Sequence, residues 1–555
     1  MKFASPVSLV ISLVLSGSIA VPAAPAADSL GQQLGTVRFE VSGNAAAREQ
    51  VVRGVKLLHH MMYVEADRAF AAAITADPDC ALAYWGRAMA VVHPLWPDTP
   101  GAIELKQGSE FIRAGLARHP SSPRERDYLT TLDTYFTAAS AHDHPTGLKR
   151  LDPAWSALAS KYPDDLDAAA FSALFHLAPA RFLPKDKSHR IQLASAAIIQ
   201  DVLAKIPDHP GAQHYKIHAF DFPLLADRAL EICDSYGEIA PDVPHALHMP
   251  THIYTRRGLW EKSIEYNRRS AEAAKKLNAS AGLIYLHYPH ALDYLAYAYL
   301  QRGQYREADA IRQEVLALTG PYHAGSQVGI AFALAAIPAR YALERHDWTG
   351  AAQVELHRPV SFPWSDSFLH CDSIVHFTRA LGSVRSDNLN MAQREIERLE
   401  EIKQRLAAKH PGSYWASQAE TQLLAARAWL LLKENQPDHA LALMRRAAEL
   451  EAMTDKEAVT PGEVLPAGEL LGDMLIELNQ PREALAAFEA VLASSPNRHN
   501  SLYSAGRAAE AAGDRKKATD YYKNLLTLAA DADPGLPGVL HAEAFLNGAK
   551  IQRSP

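Results

Sequence analysis

Cysteine is nearly missing from this chain. There are three in 555 residues, Cys80, Cys233 and Cys371, far apart, odd in number and without a CxxC spacing. That excludes a dense disulfide framework and leaves each cysteine as a small buried apolar residue. Alternating Val-, Ile- and Thr-rich runs are also scarce, so no substantial sheet is expected. There is no Gly-rich phosphate loop, GxSxG elbow or dinucleotide fingerprint in a suitable setting. The HMPTH run at 248–252 has Met249 where the HExxH motif needs a glutamate as general base, which argues against a thermolysin-like peptidase. Basic residues are not in excess. Lys and Arg total 56 against 63 Asp and Glu, a net charge of −7, so nucleic acid is not expected as the main partner. Beyond the N-terminus no stretch reads as long enough for a stable membrane span.

What is present begins with a secretory-type leader. Lys2 is the single early charge, Val7 to Ala20 is apolar, and small residues follow in VPAAPAADS. Cleavage near Ala27 takes the net charge to −8 and implies a periplasmic or secreted protein. The apolar stretch is too short for a permanent span, and no cysteine follows to carry a lipid. A hydrophobic content of 48% is ample for burial, and the length suggests several domains or one solenoid.

The dominant pattern is amphipathic helix in short pieces joined by turns. RRGLWEKS at 256–263, QRGQYREA at 301–308 and ERHDWTGA at 344–351 share one layout of small residue, aromatic and alanine. MMYVEA at 61–66, NQPREA at 479–484 and AAGDRKKA at 511–518 follow it less fully. Two histidine pairs, His214 with His218 and His248 with His252, lie 34 residues apart. Thirty-four is the period of the tetratricopeptide (TPR) helical hairpin, and a fixed period puts equivalent residues at equivalent places on successive repeats. The expected fold is an all-α, TPR-like α-solenoid of stacked hairpins, a superhelix with a concave groove. The expected organisation is a signal peptide at 1–27, an N-terminal repeat pair at 45–95, and a helical linker with irregular repeats at 96–210. Central repeats follow at 211–350, hairpins at 367–453, a C-terminal pair at 467–530 and a tail at 531–555.

In TPR arrays the first helix of each hairpin lines the groove, at positions about 13, 10 and 6 residues before the turn glycine. Counting back from Gly258 gives His245, His248 and His252; one period earlier lie Gly211, His214 and His218. Counting back from Gly303 gives His290, Asp293 and Tyr297. Spacings of three and four keep each set on one helical stripe. Imidazoles from helices packed about 8–10 Å apart can meet at one cation. The candidate ligands of a metal or small molecule are therefore His214, His218, His245, His248, His252, His290 and Asp293, with Tyr297 beside them. A set rich in imidazole suits a divalent transition metal such as zinc, iron or copper. Asp221 or Asp293 can act behind the ligands by fixing a tautomer. Pro250 lies inside the helix between His248 and His252, where it removes a backbone bond and bends the helix. The bland alternative is a network of histidines satisfied by hydrogen bonds between stacked helices.

Two further registers stand out. His59 and His93 are 34 apart, at expected helix C-termini, which favour a cation. Glu469 and Asp473 precede Tyr503 and Arg507 by one period, with Arg498 and Asn500 just upstream. That set reads as an inter-repeat salt-bridge network or a peptide- or anion-binding stretch.

The segments DPDCALAYWGRAMAVVHPLW, HYKIHAFD, PHALHMPTHIYTRRGLWEKSIEYN, HALDYLAYAYLQRG, VTPGEVLPAGELLGDML and PNRHNSLYSAGRAAEAAGD span about 50–530. They resemble a family of exported bacterial TPR proteins. The resemblance implies an α-solenoid and brings no reaction with it. Three readings stay open: an exported binding or scaffolding protein with a protein, peptide or small ligand in its groove, a groove-sited metalloenzyme (hydrolytic or oxidative), and a purely structural interaction module.

Overall fold

The structure is a computed structural model and describes residues 30–548 apart from 97, 184, 185 and 410. The expected signal segment lies outside the described residues. Among them, regular structure is helical, joined by short 3-10 turns and one isolated parallel bridge between Ile284 and Tyr322. The helices pack as consecutive antiparallel hairpins in an all-α, TPR-like solenoid. Ala45–His59 pairs with Tyr63–Ala76, His287–Gln301 with Tyr305–Leu316, Ala467–Glu477 with Pro481–Ser494, and His499–Ala511 with Arg515–Leu528. The three cysteines are free and buried.

The turns explain why these helices stop where they do. Several end in a residue of positive φ, among them Gly258 (+61°), Gly303 (+70°), His346 (+53°), Asp387 (+61°), Asn435 (+61°), Asn479 (+56°) and Gly513 (+80°). Such a left-handed residue turns the last carbonyls back onto the next amides. The same bond recurs each time, a backbone N–H reaching five residues back. Examples are Leu259 to Tyr254 (2.8 Å), Gln304 to Tyr299 (2.9 Å), Gln480 to Leu475 (2.8 Å) and Asp514 to Ala509 (2.9 Å).

Inside a hairpin, packing depends on a glycine facing an aromatic ring. Gly54 lies against Phe70, Gly472 against Phe488 and Gly506 against Tyr522, always sixteen residues apart. A Cβ on Gly472 would stand 2.4 Å from the Phe488 ring, and one on Gly506 2.4 Å from Tyr522. The missing side chain lets the two helix axes approach, and the ring fills the space that remains.

The superhelix brings distant repeats together. Trp260 Nε1 donates to the Asn497 carbonyl (2.7 Å), Arg302 pairs with Asp531 (2.6 Å), and the Asp533 amide donates to the Gly303 carbonyl (3.0 Å). Gly258 is needed twice over, for its positive φ and because a Cβ would sit 2.2 Å from the Pro496 carbonyl oxygen. The segment 454–466 crosses the concave side of the central repeats. Tyr294 donates to the Thr460 carbonyl (3.0 Å), Arg340 to the Gly462 carbonyl (3.1 Å) and Lys456 to Asp221 (3.0 Å). Residues 531–548 contain the helix Pro537–Leu546, whose Ala542 and Phe545 are buried against the last hairpin.

One sequence expectation needs correcting. Ala324–Glu344 is long and apolar enough to cross a membrane by length and composition. It is mostly buried in the solenoid, with Arg340 ion-paired to Asp293 and Glu344 to Arg498, as a core helix would be.

Gly472→Ala is expected to lower stability by about 1–3 kcal/mol through overpacking. Trimming the ring with Phe488→Leu should recover part of that loss in the double variant. Urea denaturation of the four proteins of this cycle checks it; strictly additive losses would contradict the proposed contact.

Candidate metal centre in the histidine cluster

Three neighbouring first helices carry the histidines. Pro210–Phe220 holds His214 and His218, with a proline at its first position, where a missing N–H costs nothing. One period later Pro244 opens the next helix in the same way, and that helix breaks at Met249. Pro250 starts a second short segment, Pro250–Arg256, so His248 and His252 sit on either side of the break. The third helix, His287–Gln301, contributes His287 and His290.

His248 and His252 meet at their Nε2 atoms, 3.1 Å apart. Their other nitrogens are committed. His248 Nδ1 donates to Asn267 Oδ1 (2.8 Å), and the Asn267 amide is oriented by its own donation to the Ser263 carbonyl (2.8 Å). His252 Nδ1 donates to Asp221 Oδ2 (2.9 Å), which also receives Lys456, while Arg256 donates to Oδ1 of the same carboxylate. With the protons on Nδ1, both Nε2 atoms present lone pairs to each other. Two lone pairs at that distance repel unless a proton or a metal ion lies between them. Burial holds both imidazoles below their ordinary range, so a shared proton is disfavoured. His290 completes the triad, with its ring 4.3 Å from that of His248. One potential ligand atom from each of the three lies within 4.8 Å of the others.

A second triad abuts the first. His214, His218 and His245 each place a potential ligand atom within 4.8 Å of the others. His214 Nδ1 donates to the His59 carbonyl (2.7 Å), one of the carbonyls a helix leaves unpaired at its end. Burial holds His214 and His245 well below the usual imidazole range and pushes His218 down to about 3. Neutral imidazole is the form that binds metal.

His59 belongs to a third group with a different character. Its Nε2 meets Asp167 (3.1 Å), its Nδ1 meets the Tyr215 hydroxyl (2.8 Å), and His209 Nε2 lies 3.4 Å from the same carboxylate. Here both ring nitrogens of His59 already have partners, and the group reads as a buried structural network. His59 and His93, expected as cations at helix ends, are both pushed down to about 4 by burial and are neutral.

The remaining sequence-selected residues divide. Asp293 is in neither triad: it is buried, ion-paired with Arg340, and its carboxyl is pushed up to about 6 by burial. Arg340 draws it away, and both triads are left all-imidazole. Tyr297 accepts from Arg498 Nη1 (2.6 Å). Glu469 is joined to Arg498 (2.7 Å), and Arg498 reaches on to Glu344 (2.8 Å), a buried network across repeats. Asp473 lies one turn along from Glu469, and burial raises its carboxyl. Tyr503 meets His541 (3.1 Å), and Arg507 lies over the Tyr503 ring at 5.8 Å. The arginine that neutralises Glu469 is thus Arg498, not the in-register Arg507.

Sequence reasoning missed Asn267, His287, Tyr294, Trp96, Lys456 and Val459. Asn267 was findable, because it lies on the helix Trp260–Ala281 that completes the same hairpin as His248. Trp96 packs against His245 and His287 from a loop, and Lys456 and Val459 come from the crossing segment, so none of these has a periodic signal. A cleft of about 750 Å³ lies elsewhere; its Arg312, Arg345 and Arg358 are each ion-paired, to Asp309, Asp347 and Glu355.

No family model and no curated protein matches the chain. Among solved structures it is similar to the APC/C hetero-tetramer Cut9–Hcn1, at 13% identity and a TM-score of 0.36 over 90% of this chain and 75% of that one. It is also similar to yeast Tom70, at 12% identity and a TM-score of 0.29 over 90% and 96%. Likeness of that order carries no argument; the fold rests on the order and packing of the chain's own helices.

The buried histidines set a pH dependence. Burial lowers His59, His93, His287 and His499 to about 4 and His60 to about 3. Unfolded, they titrate near 6.5. Between those values the unfolded chain holds protons that the folded chain does not, so stability falls as pH falls from about 6.5 towards 4. Chemical denaturation of metal-free protein from pH 7.5 to 5 should show a loss steeper than the ~1.4 kcal/mol per pH unit of a single proton. A shallower slope would contradict neutral burial.

Proposed function

We propose that this chain is an exported α-solenoid that binds a transition-metal ion inside its central repeats, through the Nε2 atoms of His248 and His252 and a ring nitrogen of His290. The observation that carries this reading is the 3.1 Å approach of two Nε2 atoms whose Nδ1 atoms are both already donating. An ion at the usual 2.0–2.1 Å from each nitrogen would see them at an angle of roughly 100°. Asn267 and Asp221 lie behind the His248 and His252 rings, as acceptors that orient metal-binding histidines do.

Enclosure supports binding over turnover. His214, His248, His252 and His290 are all buried, Trp96 packs on one flank, and the segment 454–466 covers the concave side. The Tyr294 hydroxyl, next to His252, is engaged with the Thr460 carbonyl. That same segment packs over Tyr294, Arg340 and Asp221, so a protein partner would dock on other repeats. The leader-like N-terminus supports export.

Metal analysis of protein purified without a polyhistidine tag tests the proposal. Bound zinc, copper or iron is expected, with His248→Ala/His252→Ala abolishing it at this triad. Asp221→Asn or Asn267→Leu should weaken affinity about 10–100-fold by releasing a ring. Protein that neither retains metal nor gains thermal stability on incubation with any of the three would sink the reading.

A further inference from the structure

The second triad, His214, His218 and His245, has features the first reading does not use. The Nε2 atoms of all three are buried and have no hydrogen-bond partner among the described residues. His214 and His245 are themselves more than nine-tenths buried. An imidazole nitrogen taken out of water without a partner costs free energy, and three aimed into one small volume is a repeated cost. The arrangement is also built. His214 is held in one tautomer by the His59 carbonyl, and the His59 ring is in turn fixed by Tyr215 and Asp167. Gly211, one turn before His214, lets His59 come that close: a Cβ there would stand 2.3 Å from His59 Nδ1.

The two triads share a wall. The His218 and His252 rings are 6.3 Å apart and those of His245 and His248 6.4 Å. Neither triad includes a carboxylate or a thiolate. The carboxylate that reaches the cluster, Asp221, is shared by Arg256 and Lys456, so the charged groups around His252 sum to a positive rather than a negative value. Such a setting penalises each further unit of cation charge. A univalent ion content with three neutral nitrogen donors meets both conditions, and copper(I) is the biological transition-metal ion of that kind. Resting on the first reading, we propose that the cluster holds a pair of copper(I) ions, one on His248, His252 and His290 and the other on His214, His218 and His245.

The test is copper(I) titration of the full-length untagged protein, without oxygen, against the chromophoric chelator bicinchoninate, with stoichiometry read by native mass spectrometry. Two ions are expected in the wild type, one in His214→Ala/His218→Ala and one in His248→Ala/His252→Ala. A single ion in the wild type that persists in His214→Ala/His218→Ala would overturn the second site and leave the first standing. No bound metal of any kind would remove both. Two zinc ions with no copper bound in competition would overturn the choice of ion. Circular dichroism verifies that each variant is helical. Should a variant not fold, X-ray absorption on copper-loaded wild type decides: two copper ions in three-nitrogen shells support the pair, and a single or oxygen-ligated copper overturns it.

Discussion

An imidazole taken out of water must be satisfied at both nitrogens, and its two nitrogens ask for different partners. The protonated one needs an acceptor; the other needs a donor or a cation. The centre of this solenoid is organised around that asymmetry. Asn267, Asp221 and the carbonyl of His59 take up one N–H each from His248, His252 and His214. None of these acceptors can offer a proton to the opposite nitrogen, and the lone pairs are left facing inward. Around His59 the same residue type is used differently: the hydroxyl of Tyr215 and the carboxylate of Asp167 satisfy both sides, and the ring becomes ordinary core. Partner chemistry, rather than histidine count, separates a candidate ligand from a packing residue.

The repeat supplies the positions and the defect supplies the aim. Sequential hairpins place His214 and His248 at equivalent points, so that neighbouring rings come within contact distance without any special loop. Pro250 then divides what would be one first helix into two short pieces, with His248 ending one and His252 in the other. The aromatic and glycine pairs that lock each hairpin, such as Gly472 with Phe488, keep the helices close enough for such registers to hold over many repeats.

Much of this was legible in the chain. The 34-residue interval and the turn glycines located six histidines that the structure draws into two adjacent triads. What could not be read were the partners chosen across the superhelix. Periodicity reports neighbours within and between adjacent hairpins, as with Glu469 and Arg498, whereas Lys456 reaching Asp221 joins residues 235 positions apart, and Arg340 taking Asp293 has no signature in the repeat. A carboxylate in helical register with histidines looks like a ligand until the arginine that neutralises it is known. The crossing segment 454–466 was not legible either, since it belongs to no repeat.

That covering segment has a consequence for time rather than affinity. Residues 454–466 contain no helix; they reach the histidine region through polar contacts of Lys456, Thr460 and Gly462 and bury Val459, Val464 and Leu465 in the core. Opening this stretch would cost those buried contacts. Exchange of anything held by the histidines would then follow the unseating of this strap. Tightness at equilibrium and speed of release would be set by different parts of the chain, the first by imidazoles and the second by a loop.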